Sequence, residues 1–274
     1  MRQARSDHRF LVPTVSLALL LIVSAGSASA ADRDRERESR REIKVERVVK
    51  LQPRAEAEVV VRDFKALFLT DGSVTVTGKG TVRAEAPPQG FDFEVDLARG
   101  TYTTRRLDQH EIEERDRLRE STRENQGGEP LEPAIKAITP GTWFGRVRVQ
   151  TKDPVFVVLT ETMSSLTWTT SSTGTVTGSS PSTDSCWAAN PSSLDTHWFT
   201  SSCAYGGLYA SSGRVCNDNT GSYYNYDFGD DADITTVSQY VYLCGRNDAM
   251  YDYSFTHNDG GEAALLIYGS VVTG

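Results

Sequence analysis

The sequence predicts a mainly β protein: a small N-terminal antiparallel sheet, a polar connector helix, and a C-terminal disulfide-bonded β-sandwich of jelly-roll-like kind. Three observations predict it. Apolar residues alternate with polar ones at period two through much of the chain, the spacing that lines one face of a strand. Turn-forming residues punctuate this alternation, and no amphipathic helices of about 10–15 residues fall between, which argues against a βαβ arrangement. All four cysteines lie after residue 185, together with ten of the eleven tyrosines. That segment replaces Lys and Glu with Ser, Thr, Gly and Asn, a composition suited to the exposed faces of extracellular strands. No repeat of fixed period occurs, so a solenoid or propeller lacks its usual basis.

Residues 1–30 read as a signal peptide. Arg2, Arg5 and Arg9 precede an apolar run from Phe10 to Ala25, and Ala28-Ser29-Ala30 supplies the small-x-small pattern of a cleavage site. A membrane anchor needs about 20 consecutive apolar residues, and this run is interrupted at Pro13, Thr14 and Ser16. No cysteine stands near the cut to accept a lipid. The expected product starts at Ala31, is secreted to an extracellular or periplasmic space by bacterial-type export, and has no transmembrane segment. Removing Arg2, Arg5, Arg9 and Asp7 turns 29 basic and 37 acidic residues into 26 and 36, a formal charge of −10. Such a balance argues against a nucleic-acid partner.

Residues 31–42 form a charged leader with too few apolar side chains to offset the entropy of ordering. Residues 43–104 then alternate, through Val59 and Val61, Val74 and Val76, and Phe91, Phe93 and Val95. Turns are expected at Asp71-Gly72, Gly78-Lys79-Gly80 and Pro87-Pro88-Gln89-Gly90, so this stretch is predicted as the small antiparallel sheet. Residues 105–141 are the connector, a charged helix from Arg105 to Gln126 that ends at Gly127-Gly128 and leads into a Pro-containing linker. Residues 142–274 are the sandwich. Near the C-terminus the spans Thr236–Cys244, Ala249–His257 and Ala263–Val272 read as a three-stranded meander. Charge changes along the chain as well: residues 31–150 hold 23 basic and 23 acidic side chains, residues 151–274 only 3 and 13.

Cys186, Cys203, Cys216 and Cys244 make an even count on an exported chain, which implies two disulfides. The gaps contain no C-x-x-C knuckle, so zinc is disfavoured. Of three connectivities, sequential pairing is preferred, Cys186 with Cys203 and Cys216 with Cys244, because each closes a moderate loop worth about 3 kcal/mol. Spacing alone leaves the other two open.

The same region holds the candidate sites. Trp187, Trp198, Tyr223, Tyr224 and Tyr226 lie near Asn217, Asn219 and Asn225, and flat rings beside amides suit a sugar-binding or protein-contact surface. The structural alternative puts these rings in the core; Tyr223 and Tyr224, being adjacent, must point to opposite faces of a strand. Asp227, Asp230, Asp231 and Asp233 are the candidate ligands of a Ca2+ ion, weighed against a merely solvated acidic loop; they do not match the EF-hand pattern, and no cofactor is required. His257, Asp259 and Glu262 are expected at a turn, where they suit weak metal binding. No G-x-S-x-G elbow is present. The functional expectation is a secreted, non-enzymatic binding or adhesion module that presents an acidic Tyr/Trp-rich face to a carbohydrate or an extracellular protein. One alternative is a glycosidase-like hydrolase using an acid/base pair among Asp218, Asp227, Asp230, Asp231 and Asp233. Another is a structural, envelope-associated protein with its aromatics inside.

Overall fold

The computed structural model describes residues 43–274 except 85, 115, 118–140, 154–156, 174, 180–185, 189–196, 212, 227–233 and 262–265. The expected signal peptide and leader, most of the connector, and Asp227, Asp230, Asp231, Asp233 and Glu262 therefore lie outside the described residues. The strands in chain order are β1 (Val45–Lys50), β2 (Gln52–Pro53), β3 (Arg62–Leu69), β4 (Val74–Arg83), β5 (Gln89–Asp96), β6 (Thr101–Arg106), β7 (Thr142–Lys152) and β8 (Val158–Thr170). They continue with β9 (Val176–Ser179), β10 (Cys186–Ala188), β11 (Trp198–Ser211), β12 (Arg214–Asn225), β13 (Thr235–Arg246), β14 (Met250–Gly260) and β15 (Leu266–Thr273). A seven-stranded sheet runs β1-β3-β4-β14-β13-β12-β11, and an eight-stranded sheet runs β10-β8-β7-β15-β5-β6-β2 with β9 also on β8. The mainly β, sandwich-like class holds.

Alternation puts one face of each sheet inward, where Val76, Phe93, Val149, Leu166, Trp168, Val241, Phe255 and Val271 belong to one buried cluster. Its aromatic centre is edge-to-face: Phe64 stands 4.7 Å from Tyr102 and 5.7 Å from Phe93. The strands of residues 43–104 do not form a sheet of their own. β3 and β4 extend the seven-stranded sheet through β14, and β5 and β6 extend the other through β15. Gly78-Lys79-Gly80 is not a turn: β4 runs through it, and the two glycines make room for the Phe255 and Tyr253 rings. Their apolar residues pack against those of the second half, so the change of charge along the chain is not a change of sheet. The C-terminal meander is also broken: β13 pairs with β14, but β15 crosses to lie between β7 and β5. Both of its faces supply buried residues, Ile267 and Val271 on one and Ser270 and Val272 on the other. A strand buried on both faces belongs in the middle of a covered sheet.

The predicted helix starts later than Arg105, because β6 continues through Arg106. Asp108 opens it with a reciprocal capping box: its carboxylate accepts the Glu111 N–H at 2.8 Å, and the Glu111 carboxylate accepts the Asp108 N–H at 2.9 Å. Residues 109–114 are helical. Ile112 packs with Leu107 and Val272 against the outer face of the eight-stranded sheet. That outer face also carries a buried polar row. Gln150 donates to Glu161 at 2.7 Å, Arg148 pairs with Asp116, and Lys152 pairs with Asp92 at 2.6 Å.

Both flanks of the sandwich are stitched. On one, the chain passes directly from β1 at the edge of the seven-stranded sheet to β2 at the edge of the other, with Leu51 buried at the crossing. On the opposite flank, Cys186 on β10 is bonded to Cys203 on β11, with Cα atoms 5.8 Å apart. The second disulfide, Cys216–Cys244, joins residues directly opposite each other on β12 and β13, with Cα atoms 4.1 Å apart. Trp168 fixes the spacing between the sheets: its ring lies over Gly245, where a Cβ would stand 2.4 Å from the ring, and its Nε1 donates to the Arg246 carbonyl at 2.9 Å. Gly245→Ala is therefore expected to lower stability by about 1–3 kcal/mol through overpacking. An unchanged urea midpoint for that variant would contradict this close approach.

Candidate functional site: the outer aromatic face

β12 looks irregular in sequence because its inward positions are mostly not aliphatic. Asn217 and Asn219 point inward and donate to the backbone carbonyls of Ser165 and Met163, each at 2.7 Å. These carbonyls lie on β8 between the residues paired with β10 (160–162) and those paired with β9 (167–170). The amides thus satisfy backbone groups in a gap between two strand partners, and polar side chains do the work of a core. The outward set of β12 is then Asp218, Thr220, Ser222 and Tyr224. On β13, Val241 and Leu243 are buried, which turns Tyr240 and Tyr242 outward.

Register places Asp218 between Tyr242 on β13 and Gly207 on β11, with Tyr209 opposite Cys216. A bulge between Tyr205 and Gly207 shifts the edge strand here, and Gly207 has φ +105°, a conformation that favours glycine. The backbone of Gly206 lies directly on the Asp218 carboxylate; a Cβ there would stand 2.2 Å from Oδ2. Asp218 has no basic partner among the described residues. The nearby guanidiniums are engaged elsewhere: Arg214 with Asp252 at 3.1 Å, and Arg246 with Asp248 at 2.6 Å. Burial raises the Asp218 pKa above its ordinary value. Burial also raises Tyr240, to about 12, and Tyr209, the latter further helped by a hydrogen bond with Tyr242.

A second group of rings lies further along the same hairpin. Phe199 is stacked 5.6 Å from Tyr224 and 5.3 Å from Tyr226, and Tyr224 and Tyr226 are 5.8 Å apart. Tyr205, Leu208, Tyr209 and Tyr226 are exposed.

The five rings singled out in the sequence divide between inside and outside. Tyr224 and Tyr226 join the stacked group. Trp198 and Tyr223 are buried in a small interior cluster with Leu159 and Val237, and the Tyr223 hydroxyl bonds Thr162 at 2.8 Å. Trp187 is half-buried on β10. The opposite orientation of Tyr223 and Tyr224 follows from strand geometry. His257 and Asp259 are not at a turn: β14 continues through Gly260 and holds them inside, with the His257 Nε2 3.0 Å from both Asp259 oxygens. Among the described residues no group of three or more His, Cys, Asp or Glu is placed to hold a metal. Tyr240 and Tyr242 are additions from the structure; the alternation Tyr240-Val241-Tyr242-Leu243 is the signal that carries them.

The raised tyrosines have a pH consequence. Unfolded tyrosines ionise near 10, whereas Tyr209, Tyr240 and the buried Tyr253 hold their protons to higher pH. Their contribution to stability is fully present below pH 10 and is lost as pH rises through the folded values. An alkaline titration should show tyrosinate absorbance lagging behind that of the urea-unfolded chain; coincident curves would refute the raised values of these phenols.

Comparison with family models, with curated proteins and with solved structures finds no match to this chain. No helix among the described residues is long and apolar enough to cross a membrane.

Proposed function

We propose that the protein is a secreted, non-enzymatic binding module whose outer β11–β12–β13 face takes a carbohydrate. The observation that carries this reading is Asp218: a half-buried carboxylate with no basic partner among the described residues, held by Gly206 and surrounded by tyrosines. A fold gains nothing from such a group, and polar groups kept at a cost in stability are characteristic of binding sites. The carboxylate accepts sugar hydroxyls, and the adjacent phenols supply flat apolar surface with a polar edge. The disulfides support an oxidising compartment. The hydrolase alternative needs a second carboxylate beside the first; among the described residues the groups that feel the charge of Asp218 are Tyr209 and Tyr240, and Asp227, Asp230, Asp231 and Asp233 lie outside them.

The test is a glycan array probed with the oxidised protein and with Asp218→Asn, each with and without calcium. The parent is expected to retain defined glycans that the variant loses. Silence of the parent in both conditions removes the sugar reading, and binding equal in both proteins removes Asp218 from the site. The same substitution should act oppositely on stability. With a folded pKa above the unfolded one, Asp218 contributes stability at low pH that is lost as it ionises. At neutral pH, Asp218→Asn is therefore expected to melt at a higher temperature than the parent, and a lower melting temperature contradicts the argument.

A further inference from the structure

We propose that a second site, at the end of the sandwich where β4 and β14 face β5 and β15, binds a small amphipathic carboxylate. A cavity of about 360 Å³ opens there between the sheets. Its volume lies in the range of about 300–1,000 Å³ typical of small-molecule sites. The walls are mixed: Val61, Val82, Phe91 and Val271 supply an apolar part, with the Tyr253 ring beside them, and Thr81, Gln89 and Thr273 a polar one. That ring lies across β4 at Gly80, where a Cβ would stand 2.3 Å from it. A larger residue at Gly80 would have to displace that ring.

The charge of the lining runs against that of the chain. The protein carries a formal charge of −8, yet the described residues lining this cleft include Arg62, Lys79 and Arg106 and no carboxylate. Lys79 is shared with Asp63 at 3.2 Å, both exposed. Arg62 donates to Thr81, and neither Arg62 nor Arg106 makes an ion pair among the described residues. Two guanidiniums at the rim of a low-dielectric cleft concentrate positive potential at its mouth. Guanidinium forks match a carboxylate in geometry as well as charge. The complementary ligand has one carboxylate at the rim and an aliphatic body inside.

The inference does not depend on the sugar-binding reading, because the two sites use different residues. Isothermal titration with decanoate, decyltrimethylammonium and acetate tests it on the oxidised protein. Decanoate is expected to bind at one molecule per chain, decyltrimethylammonium not at all, and acetate at least about ten-fold more weakly for lack of an apolar body. Arg62→Gln combined with Arg106→Gln should weaken decanoate by about ten-fold or more, with an unchanged circular dichroism spectrum, since both side chains are exposed. Val82→Trp, which fills the cleft and leaves the cations, should abolish binding. Asp218→Asn should leave it unaltered, which separates this site from the aromatic face. No heat with decanoate, equal binding of the cationic detergent, or undiminished binding by the double variant overturns the proposal.

Discussion

Reduction of both disulfides is expected to cost the folded protein about 6–7 kcal/mol. The bonded cysteines are separated by 17 and 28 residues, and loops of this size each contribute about 3–3.5 kcal/mol through the entropy they remove from the unfolded chain. Against a usual stability of about 5–15 kcal/mol, that loss brings many domains to the edge of unfolding. The two bonds should also be separable. Cys216–Cys244 joins neighbouring strands that are hydrogen-bonded along their whole length. Its loss, through Cys216→Ser with Cys244→Ser, should shift the urea midpoint and leave the fold unchanged. Cys186–Cys203 joins the edge strands of the two sheets, and the small cluster around Trp198 sits beneath it. Cys186→Ser with Cys203→Ser should therefore also speed hydrogen exchange in β10 and β11. If each pair changes stability by less than about 1 kcal/mol, the cross-links do not hold this fold together.

Lys152→Met is the second large effect, a loss of about 3–5 kcal/mol. Lys152 and Asp92 are almost fully buried on the outer face of the eight-stranded sheet, 2.6 Å apart, and Asp92 also meets Arg105 at 2.7 Å. Arg105 continues to Glu111 at 2.8 Å, which ties the capped helix to the sheet. Removing Lys152 leaves a buried carboxylate short of a cation that offset its desolvation. Breaking one partner of such a pair costs far more than replacing both by apolar groups. The double variant Lys152→Met with Asp92→Leu is accordingly expected to recover most of the loss. Urea unfolding of the parent, the single and the double variant measures it; a double variant less stable than the single one would show that packing, not charge, sets the cost.

The part of the fold legible in the sequence is the part built from aliphatic alternation. Val74 and Val76, Phe91 to Val95, and Val237 to Leu243 read as strands because their inward residues, Gln239 apart, are apolar. β11 and β12 escape this reading. β12 keeps period two, but Asn217, Asn219 and Gly221 occupy inward positions where Val or Leu would announce a buried face. The disulfide pairing preferred from loop length is the one formed. The aromatic face was legible as composition and not as geometry. Adjacent tyrosines imply opposite faces, yet which of Tyr223 and Tyr224 turns outward depends on the register of β12 against β13, set by long-range pairing. Sheet assignment was out of reach for the same reason: nothing local in Leu266–Thr273 says that its neighbours are β5 and β7.

That last placement bears on synthesis. Residues 266–273 lie in the middle of the eight-stranded sheet, between strands drawn from residues 89–96 and 142–152. A nascent polypeptide still lacking them holds that sheet as two three-strand ladders, β10-β8-β7 and β5-β6-β2, each with a raw inner margin. Closure of the sheet must await residues 266–273, so until translation has passed them each ladder keeps an unpaired margin that something else must shield.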